Sequence, residues 1–257
     1  MSRRWLHKFE IKQDCWVFVP DEETIKRGND IKCKIESHWQ SPSYYAHLNV
    51  GGHVAALKSH LSSDLFIRAD IHQFFNQINR SRVTRNLKNI FGSYKIGRQI
   101  ADESVVRRPN IKDKKFILPF GFVQSPIIAS VCLRNSALGG YLEQLPKENF
   151  IVSVYMDDII ISTCRSMESA EIIRERLIQV ADKSGLSLNL NKTIGPAKEI
   201  TAFNIKLMNG HMEISDERLS DFEKSICESE NEYQINGILG YVKTVCPHQA
   251  YHLESLF

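Results

Sequence analysis

The sequence predicts an α+β fold, an antiparallel sheet backed by helices, and three observations carry that prediction. Leu65-Phe66-Ile67-Arg68-Ala69 is a short apolar run that reads as a buried strand ending at Asp70. Ile151-Val152-Ser153-Val154 and Ile159-Ile160-Ile161-Ser162 are β-rich runs on either side of Tyr155-Met156-Asp157-Asp158, a hairpin with acids at its tip. Helical periodicity fills the intervals, so the order is strand, helix, helix, strand hairpin, helix, strand. That order suits one antiparallel sheet with helices packed against it.

Along the chain, residues 1–64 are mixed, with breakers at Ser41-Pro42 and Gly51-Gly52 and a short helix expected from Val54 to Leu61. Residues 80–92 read as a helix with Val83, Leu87, Ile90 and Phe91 on one face. Ser125-Pro126 is a helix start: the serine can cap exposed amides, and proline is tolerated in the first turn. That helix is expected to run on through Ile127, Val131, Leu138 and Leu142. Residues 167–184 form an amphipathic helix with Ala170, Ile173, Leu177 and Val180 inward and Gly185 as its stop. Leu186-Ser187-Leu188-Asn189-Leu190 alternates like a strand.

The 257 residues, 42% hydrophobic and 25% charged, have an ordinary globular composition, sufficient for one large domain or two to three subdomains. No stretch is apolar for long enough to span a bilayer, and Met1-Ser-Arg-Arg-Trp5 lacks the apolar core of a signal peptide. No membrane partner and a cytoplasmic location are expected. The six cysteines form no CxxC pair and read as reduced thiols. The net charge of +3 hides an asymmetry: residues 80–115 carry +8 and the remainder −5. Such a block suits a polyanion, although a solvated face has the same composition. Arg80, Arg82, Arg85, Arg107 and Arg108 are its candidate nucleic-acid contacts.

Asp70 at the end of one apolar strand and Asp157-Asp158 at the turn of a hairpin are costly in hydrophobic surroundings unless something neutralises them. Divalent cations would do so, since Mg²⁺ takes one or two carboxylates together with phosphate oxygens and water. The same acids also read as a common turn dipeptide and an ordinary strand terminator. On the acids alone both readings stay open.

The surrounding segments add a resemblance. Ala69-Asp-Ile-His-Gln-Phe-Phe75, Leu118-Pro-Phe-Gly-Phe-Val-Gln-Ser-Pro126 and Tyr155-Met-Asp-Asp158 occur in the order of palm motifs A, B and C of reverse transcriptases. Gly185-Leu-Ser-Leu-Asn-Leu-Asn-Lys-Thr193 resembles motif D and Phe203-Asn-Ile-Lys-Leu207 motif E. The match covers about residues 65–208, and the chain looks most like the bacterial retron and phage-defence group. The resemblance implies a right-hand polymerase fold, with residues 1–64 as fingers, 65–79 as palm, 80–117 as a basic fingers/palm insertion, 118–208 as palm and 209–257 as a minimal helical thumb. It implies an RNA-directed DNA polymerase that uses dNTPs, makes DNA and holds two Mg²⁺ ions, with Mn²⁺ as a substitute. Asp70, Asp157, Asp158 and the Ile71 carbonyl would be the metal ligands. Phe75 would be the sugar gate that excludes a 2′-hydroxyl, with Phe74 as core. The Gln73 and Phe74 amides would meet the triphosphate, Gly121 would let backbone approach the nucleotide, and Lys192 would protonate the pyrophosphate. The template implied is a structured noncoding RNA in antiviral defence.

Two departures stand out. Phe120 occupies the place of the family's usual Gln, which removes a hydrogen-bonding group from the nucleotide or template side. The usual Arg-rich fingers pattern is absent before Asp70, which leaves Lys26, Arg27, Lys34, Lys58 and Arg68 as candidates to grip the triphosphate, with Gly51-Gly-His-Val54 replacing part of that loop. These departures keep two alternatives in view: template-independent or protein- or self-primed synthesis on the same fold, and a non-catalytic nucleic-acid-binding palm. Residues 213–232 are acidic and read as a solvated face. Tyr233 to Val245 resembles the start of a thumb helix, and its brevity implies completion by a partner protein or a second copy.

Overall fold

The computed structural model describes residues 4–109 and 115–255. It opens with a hairpin of β1 (Trp5–Lys12) and β2 (Cys15–Pro20), then α1 (Glu22–Glu36) and α2 (Gly52–Lys58). β3 (Leu65–Asp70) leads into α3 (Arg80–Phe91), α4 (Tyr94–Ser104) and the short strands β4 (Val106–Arg107) and β5 (Phe116–Ile117). After α5 (Ser125–Arg134) and α6 (Ala137–Gln144) come the hairpin β6 (Ile151–Tyr155) and β7 (Asp158–Thr163), then α7 (Met167–Lys183) and β8 (Ile194–Ala197). A meander of β9 (Glu199–Ala202), β10 (Ile205–Met208) and β11 (His211–Ile214) precedes α8 (Asp216–Glu228), α9 (Glu232–Val245) and α10 (Pro247–Glu254).

The central sheet has the order β6-β7-β3-β8 and is antiparallel throughout. Alternation along β3 explains why it is central. Leu65, Ile67 and Ala69 point into one core with residues of α5, α6 and α7, while Phe66 points into a second core with β9–β11 and α8–α10. Asp70 is the first residue beyond that apolar alternation, and the register sets it directly opposite Asp158. His60, fully buried between the sheet and α2, joins Ser162 Oγ (2.7 Å) and Ser153 Oγ (2.8 Å). Burial lowers its pKa to about 4, so the ring is neutral and ties the residue after α2 to both strands of the hairpin.

The residues before β3 form more structure than their composition announced. Asp21 caps α1 through the Thr24 amide at 2.8 Å, which typically contributes about 1 kcal/mol. β2 docks on the segment before α5 by a hydrogen bond from the Phe18 amide to the Phe120 carbonyl, 2.9 Å. Residues 44–48 return to the sheet, where Tyr45 bridges Val154.

Three expected elements differ. Ser125 does not cap α5: Gln124 is the cap residue, and the buried Ser125 hydroxyl has no partner. The helix does not run through Leu142 but breaks at Asn135-Ser136, because the Ser136 side chain accepts from the Gly139 amide and starts α6. The alternation at 186–190 makes only one bridge, Leu188 to Ile71, because the neighbouring edge of β3 is taken by β8. Of the basic block, Lys112 and Lys114 lie outside the described residues. All six cysteines are free.

Candidate active site

The turn of the β6–β7 hairpin consists of Met156 and Asp157, with Tyr155 paired to Asp158 across it. Met156 has φ +58°, a conformation L residues rarely adopt, and two contacts hold the turn. The Ile71 amide donates to the Asp157 carbonyl at 2.8 Å, and the Met156 amide donates to His47 Nδ1 at 3.1 Å. Asp157 therefore comes to rest beside Asp70 at the strand ends.

The three carboxylates have different surroundings. Asp70 is 7% exposed and accepts from Lys192 Nζ at 3.0 Å. Asp158 accepts from Arg68 Nε at 3.1 Å and Nη2 at 2.9 Å, and the same guanidinium donates to the Thr201 carbonyl at 2.9 Å. Burial, reinforced by Asp158 and Asp70 and opposed by the turn amide and Lys192, pushes the Asp157 carboxyl up to about 6. A cation brought to this wall would relieve that repulsion. Among the described residues, no three His, Cys, Asp or Glu side chains converge closely enough to enclose a metal ion unaided. The donor set fits Mg²⁺ in the manner that ion prefers, two carboxylates with the remaining positions left to phosphate and water.

Asp70 and Asp157 open into a cavity of about 430 Å³. Its palm wall also holds His72, Gln73, Phe74, Asn189 and Lys192, and its opposite wall is the tip of the β1–β2 hairpin, Lys12 to Cys15, with Phe120. Gln73 has φ +43°, which turns the chain from β3 into the short helical turn Phe74–Gln77. Phe74 and Phe120 line the cavity; Phe75, 5% exposed, stands behind with its ring edge-on to Phe120 at 4.5 Å. Both rings are core, Phe74 at 2% and Phe75 at 5% exposed, and it is Phe75 that touches the Phe120 ring of the cavity wall.

Gly121 has φ +99°, and a Cβ there would lie 2.2 Å from the Phe18 carbonyl oxygen. The close approach that demands glycine is that of β2, so Gly121 closes the hairpin onto the cleft rather than leaving backbone bare.

The basic residues separate into two groups. Arg80 pairs with Asp102 at 3.3 Å and lies over the Phe116 ring, Arg82 donates to the Ser184 carbonyl, and Arg108 faces Asp14 at 3.6 Å. Arg85 and Arg107 are exposed. Of the candidates to grip a triphosphate, Arg27 pairs with Glu103, Lys34 lies over Phe91, Arg68 is held by Asp158, and Lys26 and Lys58 lie outside this cavity. The cation that reaches it from the hairpin is Lys12, which sequence reasoning missed; the eight-residue strand Trp5–Lys12 was its only signal. Gly51-Gly52 lies far from that role, since it starts α2 and presents His53 to Tyr155, Phe203 and Tyr241.

Residues 24–204 match the family model described as reverse transcriptase (RNA-dependent DNA polymerase). Among solved structures, the fold is similar to telomerase from Candida albicans in complex with a fragment of telomeric RNA (TM-score 0.52, 9% identity, covering 91% of this chain and 47% of that one). It is likewise similar to telomerase from Candida tropicalis with the corresponding RNA fragment (TM-score 0.52, 12% identity, 91% and 45%) and to the apo enzyme truncated of its C-terminal domain (TM-score 0.51, 12% identity, 75% and 45%). The chain spans about half the length of these structures. At such identities the likeness is one of fold, the palm-type sheet with its helices.

Proposed function

The chain belongs to the reverse transcriptase family, and from that premise we propose that it copies an RNA template into DNA by two-metal nucleotidyl transfer from dNTPs. The observation that carries this reading is the juxtaposition of Asp70 and Asp157 in one cavity, with Lys192 paired to Asp70 and Lys12 in the cavity lining. Asp70, Asp157 and the Ile71 carbonyl would hold two Mg²⁺ ions, or Mn²⁺ in their place. Such ions, when bound, activate a 3′-hydroxyl and stabilise the departing pyrophosphate. Asp158, held by Arg68, sets the charge balance beside them.

The chain's own residues do the rest. Lys12 grips the triphosphate, and the Gln73 and Phe74 amides meet it at the start of the helical turn. Lys192 gives a proton to the pyrophosphate. Phe75 acts as the sugar gate together with Phe120, whose ring it meets edge-on at 4.5 Å. Arg85 and Arg107 contact nucleic-acid phosphates. We extend the proposal to the bacterial retron or antiphage-defence class on the strength of the motif resemblance. It then uses a structured noncoding RNA as template, works in the cytoplasm, and has residues 209–257 in its thumb, with a second copy or partner protein as a further partner. Among the described residues no helix is long and apolar enough to cross a membrane.

The test is to purify the protein with its bound nucleic acid, sequence that material, and supply it with dNTPs and Mg²⁺. Extension of DNA along the co-purified RNA is expected. Failure to incorporate dNTPs on that RNA and on generic primed RNA overturns the reading. A second reading, synthesis without a template, is favoured by Phe120, which places a ring and no hydrogen-bonding group in the cleft wall. Product sequences unrelated to any RNA supplied would select it.

A further inference from the structure

His47 lies far from the acidic motifs in sequence and beneath them in space. It belongs to the strap that bridges β6, where Tyr45 pairs with Val154 and the Val154 amide donates to the Tyr44 carbonyl at 2.8 Å. The ring stacks on Tyr45 and meets Tyr155 edge-on, both at 5.8 Å. Its nitrogens have different partners. Nε2 lies 2.7 Å from Ser130 Oγ on α5, and Nδ1 lies 3.1 Å from the Met156 amide.

The hydrogen bonds fix which nitrogen carries the proton. The Ser130 hydroxyl donates to the Pro126 carbonyl at 2.9 Å, so its oxygen accepts from His47 Nε2–H. Nδ1 is then the bare nitrogen, and it accepts the Met156 N–H, which can only donate. The nearby Val154 carbonyl, 3.3 Å from Nδ1, is an acceptor and makes no bond with that nitrogen in this tautomer. Burial works in the same direction by lowering the ring's pKa. Met156 is the residue with φ +58° that turns the chain into Asp157. A backbone in that region persists only where its surroundings hold it.

We propose that His47 is a positioning residue for nucleotidyl transfer: its Nδ1 holds the Met156 amide, fixes the turn that aims Asp157, and ties that turn to α5 through Ser130. The inference rests on the polymerase reading above and adds to it a residue outside the acidic motifs. The consequence is that metal affinity at Asp157 depends on a group that touches neither metal nor nucleotide, as partners behind metal ligands commonly do.

The test compares His47→Phe, which keeps a ring without an acceptor, with His47→Asn, whose Oδ1 can replace Nδ1. The readouts are exchange of the Met156 amide in metal-free protein, Mn²⁺ binding by electron paramagnetic resonance, and primer extension as kcat and KM. His47→Phe should speed exchange of that amide and weaken Mn²⁺ binding about 10-fold, lowering kcat more than it raises the dNTP KM. His47→Asn should recover most of both binding and kcat. If His47→Phe does not fold, Ser130→Ala, which removes the hydroxyl that selects the tautomer, should shift Mn²⁺ binding in the same direction by a smaller factor. Wild-type exchange and Mn²⁺ affinity in His47→Phe, or in a folded Ser130→Ala if that is the variant available, overturn the proposal alone. A wild type that binds no Mn²⁺ and extends no primer overturns the polymerase reading itself.

Discussion

The palm cleft and the basic helical hairpin α3–α4 are both dense in charge, yet they use it differently. In the cleft, carboxylates and cations meet at strand ends, and one acid, Asp157, is left without a cation held against it. In the hairpin, the arginines that dominate the sequence count are spent on the fold: Arg80 and Arg98 converge on Asp102, and Arg82 runs into the C-terminal end of α7. Charge counted along a sequence is therefore a poor measure of charge available to a ligand. Pairing and burial decide what remains, and they leave a strained acid in one region and, in the other, exposed cations at Arg85, Lys88 and Lys95 only.

The largest effect is expected at the strained acid. Asp157→Asn or Asp70→Asn should lower primer extension by roughly 10³-fold or more, since several kcal/mol of charge stabilisation is removed. The same Asp157→Asn should leave the metal-free protein as stable as wild type or more so, because it removes a buried, repelled carboxylate; thermal melting in chelator measures this.

Next is pH. The folded carboxyl of Asp157 titrates near 6 against an ordinary 3.8, so it binds a proton more tightly folded than unfolded. Metal-free stability should accordingly gain from this group as pH falls through about 6 and lose that contribution as pH rises again. Metal binding should follow the opposite course, its apparent affinity weakening below about pH 6 as protons compete for the ligand. A Mn²⁺ affinity unchanged from pH 5 to 8 would remove Asp157 from the metal site.

A smaller effect is expected from the pairs around it. Lys192→Ala should lower kcat by about 10²-fold, the low end for loss of a proton donor, and Arg68→Ala by about 10-fold, as for a positioning partner. Lys192→Ala should also steepen the response to leaving-group pKa, whereas Arg68→Ala should not.

In the basic hairpin the contrast predicts a division. Arg85→Ala and Arg107→Ala should each reduce the salt slope of nucleic-acid binding by about 1. Arg80→Ala should leave the slope unchanged and cost on the order of 1 kcal/mol of stability, as expected for a partly exposed ion pair. Equal slope changes at all of these positions would mean that the pairing to Asp102 opens on binding.

The acidic centre was legible because its signal is local. An apolar run ending in Asp70 and a hairpin carrying Asp157 and Asp158 state both the strand pairing and the position of the acids at its end. The register that sets Asp70 opposite Asp158 follows once those strands pair. What stayed hidden depends on contacts between distant residues. Nothing near Gly121 says that the carbonyl of Phe18 will press against it, and nothing near His47 says that it will meet Met156. Lys12 reads as one lysine among many until the hairpin folds over the cleft. The two phenylalanines at 74 and 75 show the limit from the other side: their identity was clear, but that both rings are buried and that Phe75 meets Phe120 depends on the fold around them.

The most direct measurement is RNA-templated incorporation of dNTPs in Mg²⁺ by the purified protein, wild type beside Asp157→Asn, with both shown to be folded by thermal melting. Incorporation by the wild type and its loss in the variant is the predicted result. Equal incorporation by both proteins would contradict the assignment of this cleft as a metal-dependent polymerase site.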